Sequence, residues 1–128
     1  MKKRILIILF LILMCNGISA SEDECMYLAK VVATELYEEP YVVKVAYCEM
    51  LLNRVKHENF PDTLPAVCFS MGIGHDKTPT ENDIRAAVTA YRGNGVVNGA
   101  LHYERCDKVR RTPPEKRSGV RLYDWYFY

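Results

Sequence analysis

Apolar positions recur at helical spacing through the first half of the chain and alternate only near its end. Cys25, Leu28, Val32 and Leu36 share one face at 100° per residue, with Val31 at its edge and Lys30 opposite, which predicts a helix from about Glu22 to Glu38. Ser21 with Glu24 has the form of a capping box at its start. Pro40 stands where a first-turn proline is tolerated, and a second helix follows from Tyr41 to His57, with Val42, Val45, Ala46, Met50 and Leu52 available for burial against the first. Asn59-Phe60-Pro61-Asp62 ends this pair, and Thr63 caps a short helical turn from Leu64 to Phe69. After a polar loop from Gly72 to Pro79, Thr80 with Asp83 opens a third clear helix, Ile84 to Arg92, which Gly93-Asn94-Gly95 stops. Ala100 to Tyr103 and Val120 to Tyr128 favour extended structure, predicting a small antiparallel pair joined by the basic, proline-bearing loop from Arg105 to Gly119. The pattern describes one mainly helical α+β domain.

One position on the first helix breaks its pattern. Glu35 points in nearly the same direction as Leu28, into the apolar stripe, where a carboxylate is expensive to ionise. A carboxyl group that stays protonated near neutral pH suits general acid catalysis, so Glu35 is the first catalytic candidate.

The chain's 128 residues contain 17 basic and 16 acidic side chains. Lys2, Lys3 and Arg4, the apolar run from Ile5 to Met14 and Gly17-Ile18-Ser19-Ala20 have the three-part form of a secretory signal peptide, residues 1–20, leaving residues 21–128 as the exported domain. Without the leader, 14 basic residues stand against 16 acidic ones, a balance of −2 that argues against nucleic acid as a partner. The leader's apolar run is short for a permanent span, so no stable membrane span is expected after cleavage. Acidic residues dominate from Glu22 to Asp62, whereas Arg105, Lys108, Arg110, Arg111, Lys116, Arg117 and Arg121 make the C-terminal part basic.

Cys25, Cys48, Cys68 and Cys106 are an even number in an oxidising compartment, which makes two disulfides the expectation and allows three connectivities. A hairpin turning at Glu39-Pro40 would offset Cys25 from Cys48 by roughly 7 Å and disfavour that pair. No Cys-x-x-Cys or His-x-x-x-His spacing occurs among these cysteines and His57, His75 and His102, so no metal site is expected. Disulfide pairing would also consume the thiols that a cysteine protease needs, which leaves that reading remote.

The segment from Leu28 through Glu35-Leu36-Tyr37-Glu38-Glu39-Pro40-Tyr41, then Lys44-Val45-Ala46, Leu52-Asn53-Arg54-Val55, Phe60-Pro61-Asp62-Thr63 and Asn98-Gly99-Ala100-Leu101-His102-Tyr103, resembles the SleB-type cell wall hydrolase family, the spore cortex-lytic enzymes. The likeness runs from Leu28 to about Phe127. It implies a lysozyme-like fold and cleavage of peptidoglycan glycan strands; no cofactor is expected, and the leader makes the expected protein secreted or periplasmic at the cell envelope, with a monomer as the expected state. The family's catalytic glutamate, in its Gly-Glu-Ala-Arg-Gly-Glu-Pro segment, falls on Glu35, while His102 and Tyr103 fall on an aromatic strand placed to contact substrate. Asn53 and Arg54 match a motif whose role is structural. Thr34, Leu36, Tyr37 and Glu38 depart from the family's small and basic residues, and the stretch from Val67 to Thr80 is shorter than usual, with Phe69-Ser70 left of a Gln-Phe-Ser segment.

Lytic transglycosylation between N-acetylmuramic acid and N-acetylglucosamine needs one carboxylate, whereas hydrolysis needs a second to activate water or trap the sugar. Glu49 is the tempting second carboxylate, although the family has a small apolar residue at that position, which implies a surface or polar-network residue here. The competing reading is a catalytically inactive envelope protein that binds glycan or a protein partner.

Overall fold

The structure, a computed structural model, describes residues 22–93, 95–106 and 119–128. The leader, the Ser21 cap, Asn94 and most of the basic loop lie outside the described residues. Among the described residues are four helices, α1 (Glu22–Glu35), α2 (Tyr41–Lys56), α3 (Leu64–Met71) and α4 (Glu81–Tyr91), and three strands, β1 (Tyr103–Arg105), β2 (Val120–Leu122) and β3 (Trp125–Phe127). None of these helices is long and apolar enough to cross a membrane.

α1 ends at Glu35, a turn earlier than its apolar spacing predicts. Leu36 still donates its backbone N–H to the Val32 carbonyl, but Pro40 disfavours helical backbone at Glu39, and the chain turns through Tyr37 and Glu38 instead. α2 then crosses the middle of the molecule. Every residue from Val43 to Leu51 is buried, including Lys44 and Glu49, so this helix has no solvent face over that length. α1 and α2 pack together as the sequence predicts, but each makes its larger contact with α4. Ala86, Ala87 and Ala90 give α4 a low profile that two helices can approach at once. Its start is held by the predicted capping box, in which Thr80 Oγ1 accepts from Asp83 N–H and Asp83 Oδ2 accepts from Thr80 N–H. The other oxygen of Asp83 meets Lys44 Nζ at 2.7 Å, a buried ion pair that pins α4 to α2.

The extended C-terminal segment forms a three-stranded sheet in the order β1-β3-β2, not a simple pair. Val120 to Tyr128 is itself a hairpin. Tyr123 takes a positive φ of 53° at its turn, a conformation that no glycine in the sequence announces. β3 pairs with both neighbours, so Tyr126 faces Glu104 on one side and Arg121 on the other. Phe127, on the opposite face, is fully buried in the helical core.

None of the four cysteines expected to pair is disulfide-bonded. Cys25, Cys48 and Cys68 lie on three helices in the common core, where a thiol packs as a small apolar group, while Cys106 sits by the sheet hairpin with its Sγ 3.7 Å from the Tyr123 carbonyl oxygen. Burial pushes the Cys48 thiol well above its usual range and that of Cys68 up to about 11. Both are therefore protonated at neutral pH, the wrong state for a nucleophile.

Candidate functional site

Cys25, Leu28, Val32 and Leu36 are buried as their spacing predicts, and Ala29, Val31 and Ala33 are buried as well. Glu35 is not. The expectation of a carboxylate ringed by apolar side chains fails: Glu35 is the last residue of α1 and its side chain meets solvent, although Leu36, one residue further on, is buried.

The carboxylate is nevertheless held. Gly74 N–H donates to Glu35 Oε1 at 2.8 Å, and the neighbouring Lys77 N–H donates to Thr34 Oγ1 at 3.1 Å, so the 72–80 loop is fastened to the last turn of α1 at two points. That loop leaves α3 through Gly72, whose φ of 69° closes the helix end in the left-handed conformation. Glycine also suits position 74, where a Cβ would stand 3.2 Å from Thr34 Cγ2 and press the loop off the helix. No hydrogen bond to Glu35 Oε2 occurs among the described residues, which leaves that oxygen open to a bound molecule.

A second carboxylate stands nearby that the sequence did not single out. Asp76 Oδ1 and Glu35 Oε1 are each 3.6 Å from the point a Cβ on Gly74 would occupy, so the two oxygens lie within twice that distance of each other. Glu49, the candidate from the sequence, is engaged elsewhere. Its buried carboxylate accepts from Val96 N–H at 3.3 Å and Val97 N–H at 3.0 Å and ties α2 to the segment before the sheet, which makes it part of a polar network and not of the surface. Glu39 lies 3.9 Å from the Arg105 guanidinium, which links the α1–α2 turn to the end of β1.

His102 and Tyr103 are parted by the alternation of extended backbone. Tyr103 turns inward, its ring edge-on to Tyr47 at 5.0 Å. Burial, and after it the Tyr103 phenol and the Glu35 charge, hold the Tyr47 phenol far above the usual tyrosine range, so Tyr47 lies within electrostatic reach of both candidates. His102 turns outward, stacks on Tyr128 at 5.2 Å and has Nδ1 3.5 Å from Arg54 Nη2. Asn53 Nδ2 donates to the Ala100 carbonyl at 3.0 Å and Arg54 Nε to the Leu101 carbonyl at 2.6 Å, so this pair secures the segment that leads into β1. Among the C-terminal aromatics, Phe127 is core, Trp125 and Tyr126 are half-buried, and Tyr123 is exposed.

Comparison with known proteins extends this geometry. The profile of the Cell Wall Hydrolase family matches residues 38–128, starting three residues after Glu35. The spore cortex-lytic enzyme of Halalkalibacterium halodurans is 29% identical over an alignment 115 residues long that covers 80% of this chain and 35% of that protein. The chain thus spans about a third of the length of that relative. Among solved structures, the catalytic domain of the germination-specific lytic transglycosylase SleB from Bacillus anthracis superposes with a TM-score of 0.67 at 25% identity, covering 85% of this chain and 96% of that domain. The catalytic domain of the Bacillus cereus SleB protein gives the same score and identity over 85% of this chain and 91% of its own. The lysozyme-like α+β fold expected from the sequence is the one the chain adopts.

Proposed function

Because the chain belongs to the cell wall hydrolase family, we propose that it cleaves the glycan strands of peptidoglycan as a lytic transglycosylase, with Glu35 as acid and then base. The observation that carries this reading is the carboxylate at the solvent-facing end of α1, with one oxygen held by Gly74 N–H and the other open. Glu35 donates its proton to the oxygen between N-acetylmuramic acid and N-acetylglucosamine. The C1–O bond breaks and the N-acetylglucosamine side leaves as an alcohol. The carboxylate then takes the proton of the muramic acid C6 hydroxyl as O6 bonds C1, closing a 1,6-anhydro ring and restoring the acid. The Gly74 N–H supports the ionised form that exists between the two transfers. Tyr103, on the inner face of the sheet beside Tyr47, is the better placed of the two sequence-derived substrate contacts. His102, on the outer face, belongs to the packing of Arg54, Phe60 and Tyr128. The reading places the protein outside the cytoplasmic membrane, exported by its N-terminal leader and acting as a monomer without a cofactor.

Asp76 supports a second reading, hydrolysis. An inverting glycosidase keeps its two carboxyl groups about 6.5–9.5 Å apart to admit a water, and Asp76 lies near enough to Glu35 to serve as the base.

Mass spectrometry of purified peptidoglycan incubated with wild type, Glu35→Gln and Asp76→Asn separates these readings. Anhydro-muropeptides from wild type and Asp76→Asn but not from Glu35→Gln are the expected result, with the Glu35→Gln loss exceeding about a thousandfold. Reducing-end products that vanish with Asp76→Asn would establish hydrolysis. Absence of any product from folded wild-type protein would sink both.

A further inference from the structure

Tyr47 sits in the middle of α2, between Lys44 and Glu49, whose charges are both matched. Its own hydroxyl is not. Tyr47 is 1% exposed, and its Oη has no hydrogen-bond partner among the described residues. Burying a hydroxyl without a partner costs stability, and phenylalanine would fill the same space without that cost. Position 47 therefore carries an oxygen that folding does not explain.

Its surroundings connect it to the candidate site. The Tyr47 ring meets Tyr103 edge-on at 5.0 Å, and Trp125 lies against the same Tyr103 ring, tilted at 5.5 Å. Trp125 Nε1 is likewise buried and has no partner among the described residues, so Tyr103 is in ring contact with two buried donors that lack an acceptor. Tyr103 itself is only half-buried, which lets it touch the core on one side and a bound molecule on the other. After burial, the Tyr103 phenol acts most on the Tyr47 hydroxyl and the Glu35 carboxylate next, so this hydroxyl belongs to the side of α2 that faces the site.

We propose that Tyr47 is a positioning residue that acts through Tyr103: when a glycan strand fills the cleft, Tyr47 O–H donates to Tyr103 Oη, and the Tyr103 O–H donates to a hydroxyl or acetamido oxygen of the strand. A phenol that accepts one hydrogen bond becomes a stronger donor in the next, so the pair both aims and strengthens a single contact. No proton passes between the two. A small rotation of the half-buried Tyr103 ring makes the bond, while Tyr47, packed on all sides, is the fixed member. The inference rests on the Glu35 reading and adds to it a residue beneath the cleft that no substrate atom reaches.

Peptidoglycan cleavage kinetics and thermal unfolding of the full chain, as wild type, Tyr47→Phe, Tyr103→Phe and the double variant, test the pair. Tyr47→Phe is expected to lower kcat about tenfold with KM little changed, and to raise the melting temperature by about 4 °C because the orphan hydroxyl is gone. A tyrosine that served packing alone would not move activity and stability in opposite directions. Tyr103→Phe is expected to cost at least as much activity, and Tyr47→Phe to cost nothing further in that background, because the hydroxyl then has no acceptor to serve. Full kcat in Tyr47→Phe, a melting temperature that falls together with kcat, or losses that multiply in the double variant would each overturn the proposal. A wild type that cuts nothing removes the Glu35 reading and the role of Tyr47 with it, whereas an active wild type indifferent to Tyr47→Phe removes that role alone.

Discussion

The middle of α2 and the exit of α1 treat charge in opposite ways. On α2, the Lys44 ammonium and the Glu49 carboxylate are buried, one paired with Asp83 and the other with two backbone N–H groups. At the end of α1, Glu35 is exposed and has one backbone donor. A buried charge left without a partner is strongly destabilising, so the central helix is locked by complete satisfaction of its buried charges. An acid that must reach a polymer needs the reverse, an open oxygen at the surface and enough fixing to aim it. Stability and the proposed chemistry therefore reside in different groups, although the two helices adjoin.

The largest test of this division is Lys44→Ala, which strands the Asp83 carboxylate in the core. Urea denaturation is expected to show a loss of about 3–5 kcal/mol, against under about 0.5 kcal/mol for Glu35→Gln. Comparable losses for both would break the comparison. Alkali should weaken the core next. The raised pKa values of Cys48, Cys68 and Tyr47 mean that these groups stay protonated in the folded chain while the unfolded chain loses their protons from about pH 9 for the thiols and pH 10 for the phenol. The unfolded state then binds fewer protons than the native one, so stability falls as pH rises above about 9 and is fully present below it. Unfolding midpoints between pH 8 and 11 check the sign, and a flat profile would show that these groups are not buried as described. The smallest effect belongs to the exposed pair on α4, where Arg85 Nη2 meets Glu81 Oε1 at 2.7 Å. Arg85→Ala should change stability by less than about 0.5 kcal/mol and cleavage not at all, because a solvated i,i+4 pair adds little.

How much of this could be read in advance depended on whether the cause was local. The Thr80–Asp83 cap, the Thr63 cap and the buried face of α1 follow from residues within a turn of one another, and their spacing states them directly. The structural role that the resemblance implies for Asn53 takes the form of a hydrogen bond to the Ala100 carbonyl, an atom that nothing in the sequence specifies. The β2–β3 turn escaped notice because Tyr123-Asp124 lies inside an unbroken aromatic run and carries no glycine signal. Glu35 stands out in the sequence as a carboxylate in phase with the apolar stripe of α1, whereas in the structure it is exposed and held by a loop that the helix pattern does not mention.

By itself, the sequence determined the phases of the helices, their caps, the mainly helical class and the position of the one carboxylate out of step with its stripe. These are consequences of 3.6-residue periodicity and of side chains bonding the nearest backbone. Only the tertiary structure decided that α4 is the helix both others lean on, that Glu49 serves the backbone of Val96 and Val97, and that Gly74 and Asp76 stand beside Glu35 from 39 and 41 positions away. Those relations depend on how far each helix runs before it leaves the core and on which loop then closes over its end. Distances of that kind are set by packing the whole chain, and no local window contains them.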